Sequence, residues 1–292
     1  MSGIVVLGDV MVDVVAQLDG HVARGSDAPA RISLGGGGSA ANVAAWLAAA
    51  GASPTLVGRV GDDGRGREAR AELSACGVEA RLATDPLLAT GTCVVIVEPQ
   101  GERTMLPDAG ANDALAPSDM PDELLSGGGH LHVSGYSLLR EGSRAAAAAA
   151  IARARSGGLT VSVDPSSAAL LSPAFLDHAL GAGLLLPNAD EAWALTGEDD
   201  PEVGARHLSA IFAEVVVKLG EEGALWTDGR ALYRAPAAPE TAVRDTTGAG
   251  DAFAAGLIAA RVDGAEPAEA LAAACRLAAR AVATPGARPR AI

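Results

Sequence analysis

Short apolar runs rich in β-branched residues alternate along the chain with longer Ala-rich stretches of helical length. The runs at 4–7, 55–57, 130–133, 160–163, 184–186 and 215–219 each lead into Gly, Pro, Ser or Asp, the punctuation of buried strands. The stretches at 39–50, 64–76, 143–156, 190–196, 201–212, 250–262 and 267–283 read as helices. Strands alternating with helices imply right-handed βαβ crossovers and a mostly parallel sheet covered on both faces. In such α/β folds ligands sit beyond the carboxyl ends of the strands.

Two stretches break this rhythm. Residues 14–35 and 90–112 show no helical spacing, and the second carries a turn signal, Glu98-Pro99-Gln100-Gly101-Glu102, between strand-like runs at 92–97 and 103–106. Both read as small antiparallel pieces inserted in the α/β core, and together they predict one β lid over the site. No internal repeat is visible. The Ala runs, such as 145–150, signal helix propensity and not a disordered segment.

Composition narrows the picture. The 292 residues are 49% hydrophobic and 20% charged, enough for one large domain spanning 1–292 that needs no staple or metal to fold. A net charge of −14 argues against nucleic acid and anionic membranes as partners, so any anionic substrate must be held locally. Cys76, Cys93 and Cys275 are odd in number, far apart and without CxxC spacing, which speaks against disulfides or a zinc site. The N-terminus lacks the pattern of a signal peptide and no run is long enough to span a membrane, so a cytoplasmic protein is expected.

The most informative stretch is Asp245-Thr246-Thr247-Gly248-Ala249-Gly250-Asp251, a Gly-containing turn opening an apolar helix. Such a turn lets backbone N–H groups converge on an anion, and the helix N-terminus adds partial positive charge. Asp251 falls in the first helical turn, where the helix dipole is expected to keep its carboxylate ionised and able to take a proton from an attacking hydroxyl. Anion hole plus base is the geometry of phosphoryl transfer to an alcohol. The alternative is an ordinary helix start whose acid merely complements the dipole.

The Gly-rich element that comes first along the chain, Gly35-Gly36-Gly37-Gly38-Ser39-Ala40-Ala41-Asn42, follows a polar loop and opens a helix. Its glycines allow close approach of main chain to a small polar ligand, and Asn42 offers both a donor and an acceptor. It also reads as a loose dinucleotide fingerprint, or as a flexible loop without a ligand; no clean buried strand precedes it, which weakens the fingerprint. A Walker A loop is excluded, because the only lysine, Lys218, follows Val217. Asp13, just past the first strand, can accept two hydroxyls of a polyol. Asn188 and Glu191, three apart at a helix start, can face one hydrated cation or phosphate, or can simply cap the helix. His130 and His132 are expected to point alternate ways along their strand and receive no role.

With both Gly-rich elements in view, the chain closely resembles the ribokinase-like, or PfkB, family of sugar and nucleoside kinases over nearly its whole length. The two family signatures correspond to Gly37-Gly38-Ser39-Ala40-Ala41-Asn42 and to Asp245 through Asp251. Between them, Gly58-Arg59-Val60-Gly61-Asp62-Asp63-x-x-Gly66, Asn188-x-x-Glu191 and Lys218-Leu219-Gly220-x-x-Gly223 stand in the family's order. The resemblance implies a Rossmann-like, ribokinase-like α/β core, a β lid that often supplies a homodimer contact, and use of ATP and Mg²⁺. It implies that Asp251 is the catalytic base and that the amides of Gly248, Ala249 and Gly250 form the anion hole. It assigns the acceptor's hydroxyls to Asp13, Gly37, Gly38 and Asn42, and the organisation of Mg²⁺ and phosphate through water to Asn188 and Glu191. Lys218, Gly220, Gly223 and Thr246 would lie along the nucleotide, with Cys275 and Ala279 walling the adenine. Where members hold K⁺, the corresponding residues here are Asp245, Thr247, Ala283 and Gly286.

Departures bear on the acceptor. Met11 stands where ribokinases proper carry Asn, and Ser39 replaces their Lys in the first signature, so the resemblance does not imply strict ribokinase identity. Gly101-Glu102-Arg103-Thr104-Met105-Leu106 resembles the lid of fructokinase-type and keto-deoxysugar-kinase-type members; Arg103 either reaches a substrate carboxylate or phosphate, or is solvated on the lid turn. The expectation is an ATP-dependent kinase acting on a hydroxyl of a small sugar. A nucleoside kinase, with Tyr136 or Trp46 stacking on the base, is the alternative, and a non-catalytic sugar-binding regulator is a third reading.

Overall fold

The computed structural model describes residues 3–22, 25–239 and 243–289, so Ala23 and Arg24 of the first expected lid segment lie outside the described residues. In chain order the strands are β1 (Ile4–Leu7), β2 (Met11–Leu18), β3 (Ala30–Gly37), β4 (Pro54–Gly61), β5 (Glu79–Asp85), β6 (Gly91–Val97) and β7 (Arg103–Asp108). They continue with β8 (His130–Ser134), β9 (Thr160–Asp164), β10 (Leu184–Leu185), β11 (Glu214–Lys218), β12 (Ala224–Thr227) and β13 (Leu232–Ala235). The helices are α1 (Ser39–Ala49), α2 (Gly64–Ala75), α3 (Tyr136–Leu139), α4 (Glu141–Ser156), α5 (Phe175–His178), α6 (Ala189–Thr196), α7 (Pro201–Leu208), α8 (Ala249–Val262) and α9 (Pro267–Val282).

A nine-stranded sheet of order β13-β12-β11-β10-β9-β8-β1-β4-β5 forms the core, parallel from β5 to β11 and antiparallel at β12 and β13. Successive side chains of a strand point to opposite faces. In β1, Ile4 and Val6 pack with α1, α2, α8 and α9, while Val5 and Leu7 pack with α4, α6 and α7. Such two-faced burial is why the strands read as continuous apolar runs.

Three core strands were not anticipated. β5 alternates exposed and buried residues at the sheet edge, and β12 and β13 turn the chain back in a hairpin after Lys218. The histidine expectation is also corrected: residues two apart on a strand share a face, and His130 and His132 both bond the hydroxyl of Ser162 at 2.8 Å. Both are fully buried, and desolvation pushes each down to about 3.

The lid is a separate four-stranded sheet of order β3-β2-β6-β7. Its two hairpins are antiparallel as expected, but they join through a parallel β2–β6 pair, so the sheet is mixed. Its strands also reach further than 14–35 allowed: β2 begins at Met11 and β3 runs to Gly37. Asp13 and the first glycines of the Gly-rich stretch are therefore lid residues, not residues of a loop. Asp63 ties lid to core by capping α2 through Gly66 N–H at 2.8 Å and accepting the N–H and hydroxyl of Thr90 at 2.8 and 2.7 Å. A cap of this kind contributes about 1 kcal/mol.

Candidate active site

Beyond the carboxyl ends of β1, β8, β9 and β11, and beneath the lid, lies a cavity of about 640 Å³. The second Gly-rich element forms its floor. Gly248 adopts φ 77°, the left-handed region that glycine enters without steric cost, and a Cβ there would run into the Ala287 carbonyl. α8 starts at the next residue, so its first N–H groups open on the cavity beside Gly248 and Gly250.

Asp251 sits in the first turn of α8. Its carboxylate accepts the Ser39 hydroxyl at 2.8 Å and the Asn42 amide at 2.9 Å, so the two Gly-rich elements, over 200 residues apart, meet on one side chain. Burial pushes the Asp251 pKa up to about 7, against the pull of the Asn42 and Ser39 hydrogen bonds and with the help of the Asp164 and Asp9 carboxylates. Desolvation thus opposes the ionised carboxylate expected at a helix N-terminus, and a carboxyl near 7 is matched to taking a proton at neutral pH.

The first Gly-rich element joins β3 to α1 through Gly38, whose φ of 92° turns the chain. Asp9 fixes this junction: its carboxylate accepts Ser39 N–H at 2.9 Å and the Ser134 hydroxyl at 2.8 Å. The Asp13 carboxyl packs against Gly37 and faces the cavity, and burial raises its pKa to about 6 while Arg288 pulls it back.

At the far wall Lys218, at the end of β11, makes a buried ion pair with Asp164, 2.5 Å between Nζ and Oδ2. Burial opposes the lysine's charge, but Asp164 and Glu191 more than offset it and raise its pKa. Asn188 and Glu191 form a reciprocal capping box at the start of α6, both bonds at 2.8 Å. Burial raises Glu191 to about 7, Lys218 lowers it and Asp164 raises it further. The capping arrangement is thus present, and because the box uses one Glu191 oxygen the side chain also lines the cavity.

The lid closes the cavity with the odd-numbered face of β2, β6 and β7, including Met11, Cys93, Val95 and Met105. Arg103 is not solvated on a turn. It donates to Asp245 at 2.7 Å and to the Thr246 hydroxyl at 3.1 Å, bridging lid to floor. Burial alone would raise Asp245, but N–H groups of Thr247 and Gly286 and the Arg103 charge hold it below the usual carboxylate range.

Among the expected residues, Asp13, Gly38, Asn42, Arg103, Asn188, Glu191, Lys218, Thr246, Thr247, Gly248, Gly250 and Asp251 line one cavity. Ala249 lies behind, as the first residue of α8. Cys275 is buried in the core on α9, and the cavity does not extend to it, to Ala279, or to Gly220 and Gly223. Those two glycines shape the turn between β11 and β12, where Leu219 N–H bonds the Gly223 carbonyl at 2.8 Å. Ala283 is the C-cap of α9. Trp46 is 2% exposed and donates to the Ala287 carbonyl at 2.9 Å, so it furnishes no slot for a base.

Sequence reasoning missed Asp9, Asp164 and Arg288. Asp9 and Asp164 stand where β1 and β9 end, and an acid at the carboxyl end of a parallel strand was the available signal. Arg288 lies in no recognisable motif.

The sequence matches the description "pfkB family carbohydrate kinase" over residues 1–291. An ATP-dependent ribose-1-phosphate kinase of Halopiger xanaduensis is 38% identical over 77% of this chain and 72% of its own. A fructokinase of Klebsiella pneumoniae is 35% identical over 87% and 82%. A crystal structure of adenosine kinase from Sinorhizobium meliloti superposes with a TM-score of 0.89 at 25% identity, covering 99% of this chain and 96% of that one. The chain, whose two Gly-rich elements converge on one buried carboxylate, belongs to the pfkB family of carbohydrate kinases, phosphotransferases with a hydroxyl acceptor.

Proposed function

We propose that the cavity brings ATP and a small sugar together and that Asp251 takes the proton of the attacked hydroxyl. The observation that carries this is the Asp251 carboxylate, buried at the N-terminus of α8 beside Gly250 and raised to about 7. The acceptor oxygen forms a bond to the γ-phosphorus, the bond to the β-bridging oxygen breaks, and ADP leaves. The Gly248 and Gly250 amides receive the charge on the transferred group, and Ala249 N–H joins them by releasing the Thr246 carbonyl, which it bonds at 3.3 Å. Asp13 and Asn42 hold the acceptor's other hydroxyls, Gly37 and Gly38 let it approach the main chain, and the lid excludes water, for which hydrolysis is the competing reaction. Lys218 and Thr246, which line the cavity, reach the nucleotide's phosphates, and the rest of the nucleotide extends past the cavity rim towards the Gly220–Gly223 turn that follows Lys218.

Mg²⁺ fits the donor set. Glu191 keeps one carboxylate oxygen outside the capping box, and among the described residues no cluster of three or more metal-ligating side chains competes as a direct cage. A hydrated cation held by one carboxylate and substrate phosphates is the usual Mg²⁺ arrangement, and it neutralises charge on the phosphates. A K⁺ beside Asp245 would compete with the Arg103 guanidinium, which donates to Asp245 Oδ1 at 2.7 Å, while Oδ2 accepts the Gly286 N–H at 3.0 Å.

The lid's even-numbered face, pointing away from the cavity, carries Ile32, Leu34 and Leu106, which are 62%, 68% and 54% exposed. An apolar sheet face of this kind supports a homodimer formed lid to lid. The test of the function is ADP release from ATP and Mg²⁺ across ribose, ribose 1-phosphate, fructose, 2-keto-3-deoxygluconate, fructose phosphates, adenosine and pseudouridine. Turnover on a sugar or sugar derivative is expected. Turnover on nucleosides alone would favour the second reading, for which Tyr136, in the cavity wall, is the one aromatic platform among the described residues. Sugar binding without ADP release would make the protein a regulator.

A further inference from the structure

The geometry points to Arg288 as a positioning residue: by donating from Nε to the Asn42 amide oxygen at 3.1 Å, it fixes which end of that amide faces Asp251. This rests on the assignment of Asp251 as the base. Arg288 is buried and does not line the cavity, so it acts through another residue.

Arginine carries donors only, so the Asn42 atom that faces it must be the oxygen. The Asn42 NH₂ is thereby turned towards Asp251, to which it donates at 2.9 Å. Without Arg288 the amide is free to flip, and a flip would set its oxygen against the Asp251 carboxylate, two acceptors face to face. Ser39 would then be the one remaining donor named on that carboxylate.

Charge attraction holds the guanidinium here without fixing its contacts: Nη1 has no hydrogen-bond partner but lies 3.2 Å from the half-exposed Glu72, and the same charge stabilises the Asp13 carboxylate. Charge alone does not select what the other nitrogens donate to. The two well-made side-chain bonds of Arg288 both go to the first Gly-rich element, the other from Nη2 to the Gly37 carbonyl at 2.6 Å.

The neighbours of Arg288 complete the tie. Gly286 N–H donates to Asp245 at 3.0 Å, and the Ala287 carbonyl accepts Trp46 of α1 at 2.9 Å while lying against Gly248. Three successive residues after α9 therefore hold the two Gly-rich elements in register, and Arg288 carries that register to the amide that touches the base.

The test uses Arg288→Met, which removes the donors, and Arg288→Lys, which keeps the charge but not the Nε donor. Each is combined with Asn42→Ala, and Glu72→Gln is the control that leaves both donated bonds in place. Arg288→Met is expected to lower kcat by about 10–100-fold while KM for ATP stays within about twofold. In the Asn42→Ala background the same change should cost less than about 3-fold more, because the group it orients is gone. Glu72→Gln should stay within about twofold of the parent rate. Additive losses in the double variant, or full rescue by Arg288→Lys, would overturn the proposal, the second by showing that charge alone matters.

A second readout needs no acceptor. The ¹³C carboxyl signal of Asp251, assigned by its loss in Asp251→Asn, titrates in a setting shared with Ser39, Asn42, Asp164, Asp9 and Lys218. Both Arg288 variants should move its midpoint upward, and an unmoved midpoint in the folded Arg288→Lys protein overturns the proposal even if no sugar is turned over. Failure of the base assignment shows separately, as unchanged kcat in Asp251→Asn.

Discussion

Asp251 on α8 and Arg103 on β7 face the same cavity, yet they are held very differently. Asp251 is gripped by two side chains of α1, and α1 and α8 are packed in the main core. Arg103 stands on a strand whose six residues are all exposed, and its hold on the floor is an ion pair and one hydrogen bond to residues just ahead of α8. The core wall is preorganised and the lid wall is latched. Under the proposed function, the group that takes the acceptor's proton rides on the first, and the groups that would admit, enclose and release substrate ride on the second.

The largest effect should come from breaking the core wall. Asp251→Asn keeps the shape and the Ser39 contact but cannot take a proton, and should lower kcat by at least about 10²-fold with ATP binding, followed by calorimetry, retained. The pH profile sharpens the point. Asp251 must be ionised to act as a base and its pKa is raised to about 7, so kcat should rise with pH through that value and fall about 10-fold per unit below it. Glu191, also raised to about 7, titrates in the same window, so the profile should be repeated in Glu191→Gln. A limb that persists there belongs to Asp251.

What could be read in advance follows the same division. Core strands buried on both faces announce themselves as apolar runs, and β1 and β8 to β11 fall within one or two residues of expectation. Strands β5 and β13 form the two sheet edges, and β12, beside β13, is only four residues long; mixed or short segments of this kind carry a weaker signal. The lid was legible as two non-helical insertions, but the parallel β2–β6 pairing joins residues about 80 apart, and no local pattern encodes it. At the site, Asp251, Asn42, Asp13 and Lys218 were legible because they sit in or beside Gly-rich turns or strand ends. Arg288 was not, because its role arises only when the chain's last described residues fold back onto its first Gly-rich element. The raised pKa of Asp251 was illegible for a related reason, since desolvation depends on everything packed around the group.

Cutting the latch should cost less than removing the base. Arg103→Ala removes the bonds to Asp245 and Thr246, leaves Asp251 untouched, and should lower kcat/KM for the acceptor by about 10-fold, since partly exposed ion pairs contribute modestly. The more telling readout is ATP hydrolysis without acceptor, which should rise as the lid stays open longer and admits water. Asp245 also loses a cation, so added K⁺ should stimulate this variant more than the parent. If hydrolysis is unchanged while kcat falls as far as in Asp251→Asn, Arg103 belongs to the reacting centre and the contrast between the two walls fails.

The smallest effect on the chemistry should come from the lid's outer face. Leu34 and Leu106 point away from the cavity, on the opposite side of the pleat from Arg103 and Met105. Leu34→Asp together with Leu106→Asp should convert a lid-to-lid dimer to monomer in sedimentation or light scattering, because a charge at the centre of an apolar interface is left unpaired. In the monomer kcat should change by no more than about twofold, since no outer-face residue touches the cavity, while acceptor KM should rise as the lid loses its support. A parent protein that is already monomeric removes the dimer from the account and leaves Ile32, Leu34 and Leu106 simply exposed. A large fall in kcat with the dimer intact would mean that the two faces of the lid are coupled through its strands, and that the latch begins on the outside.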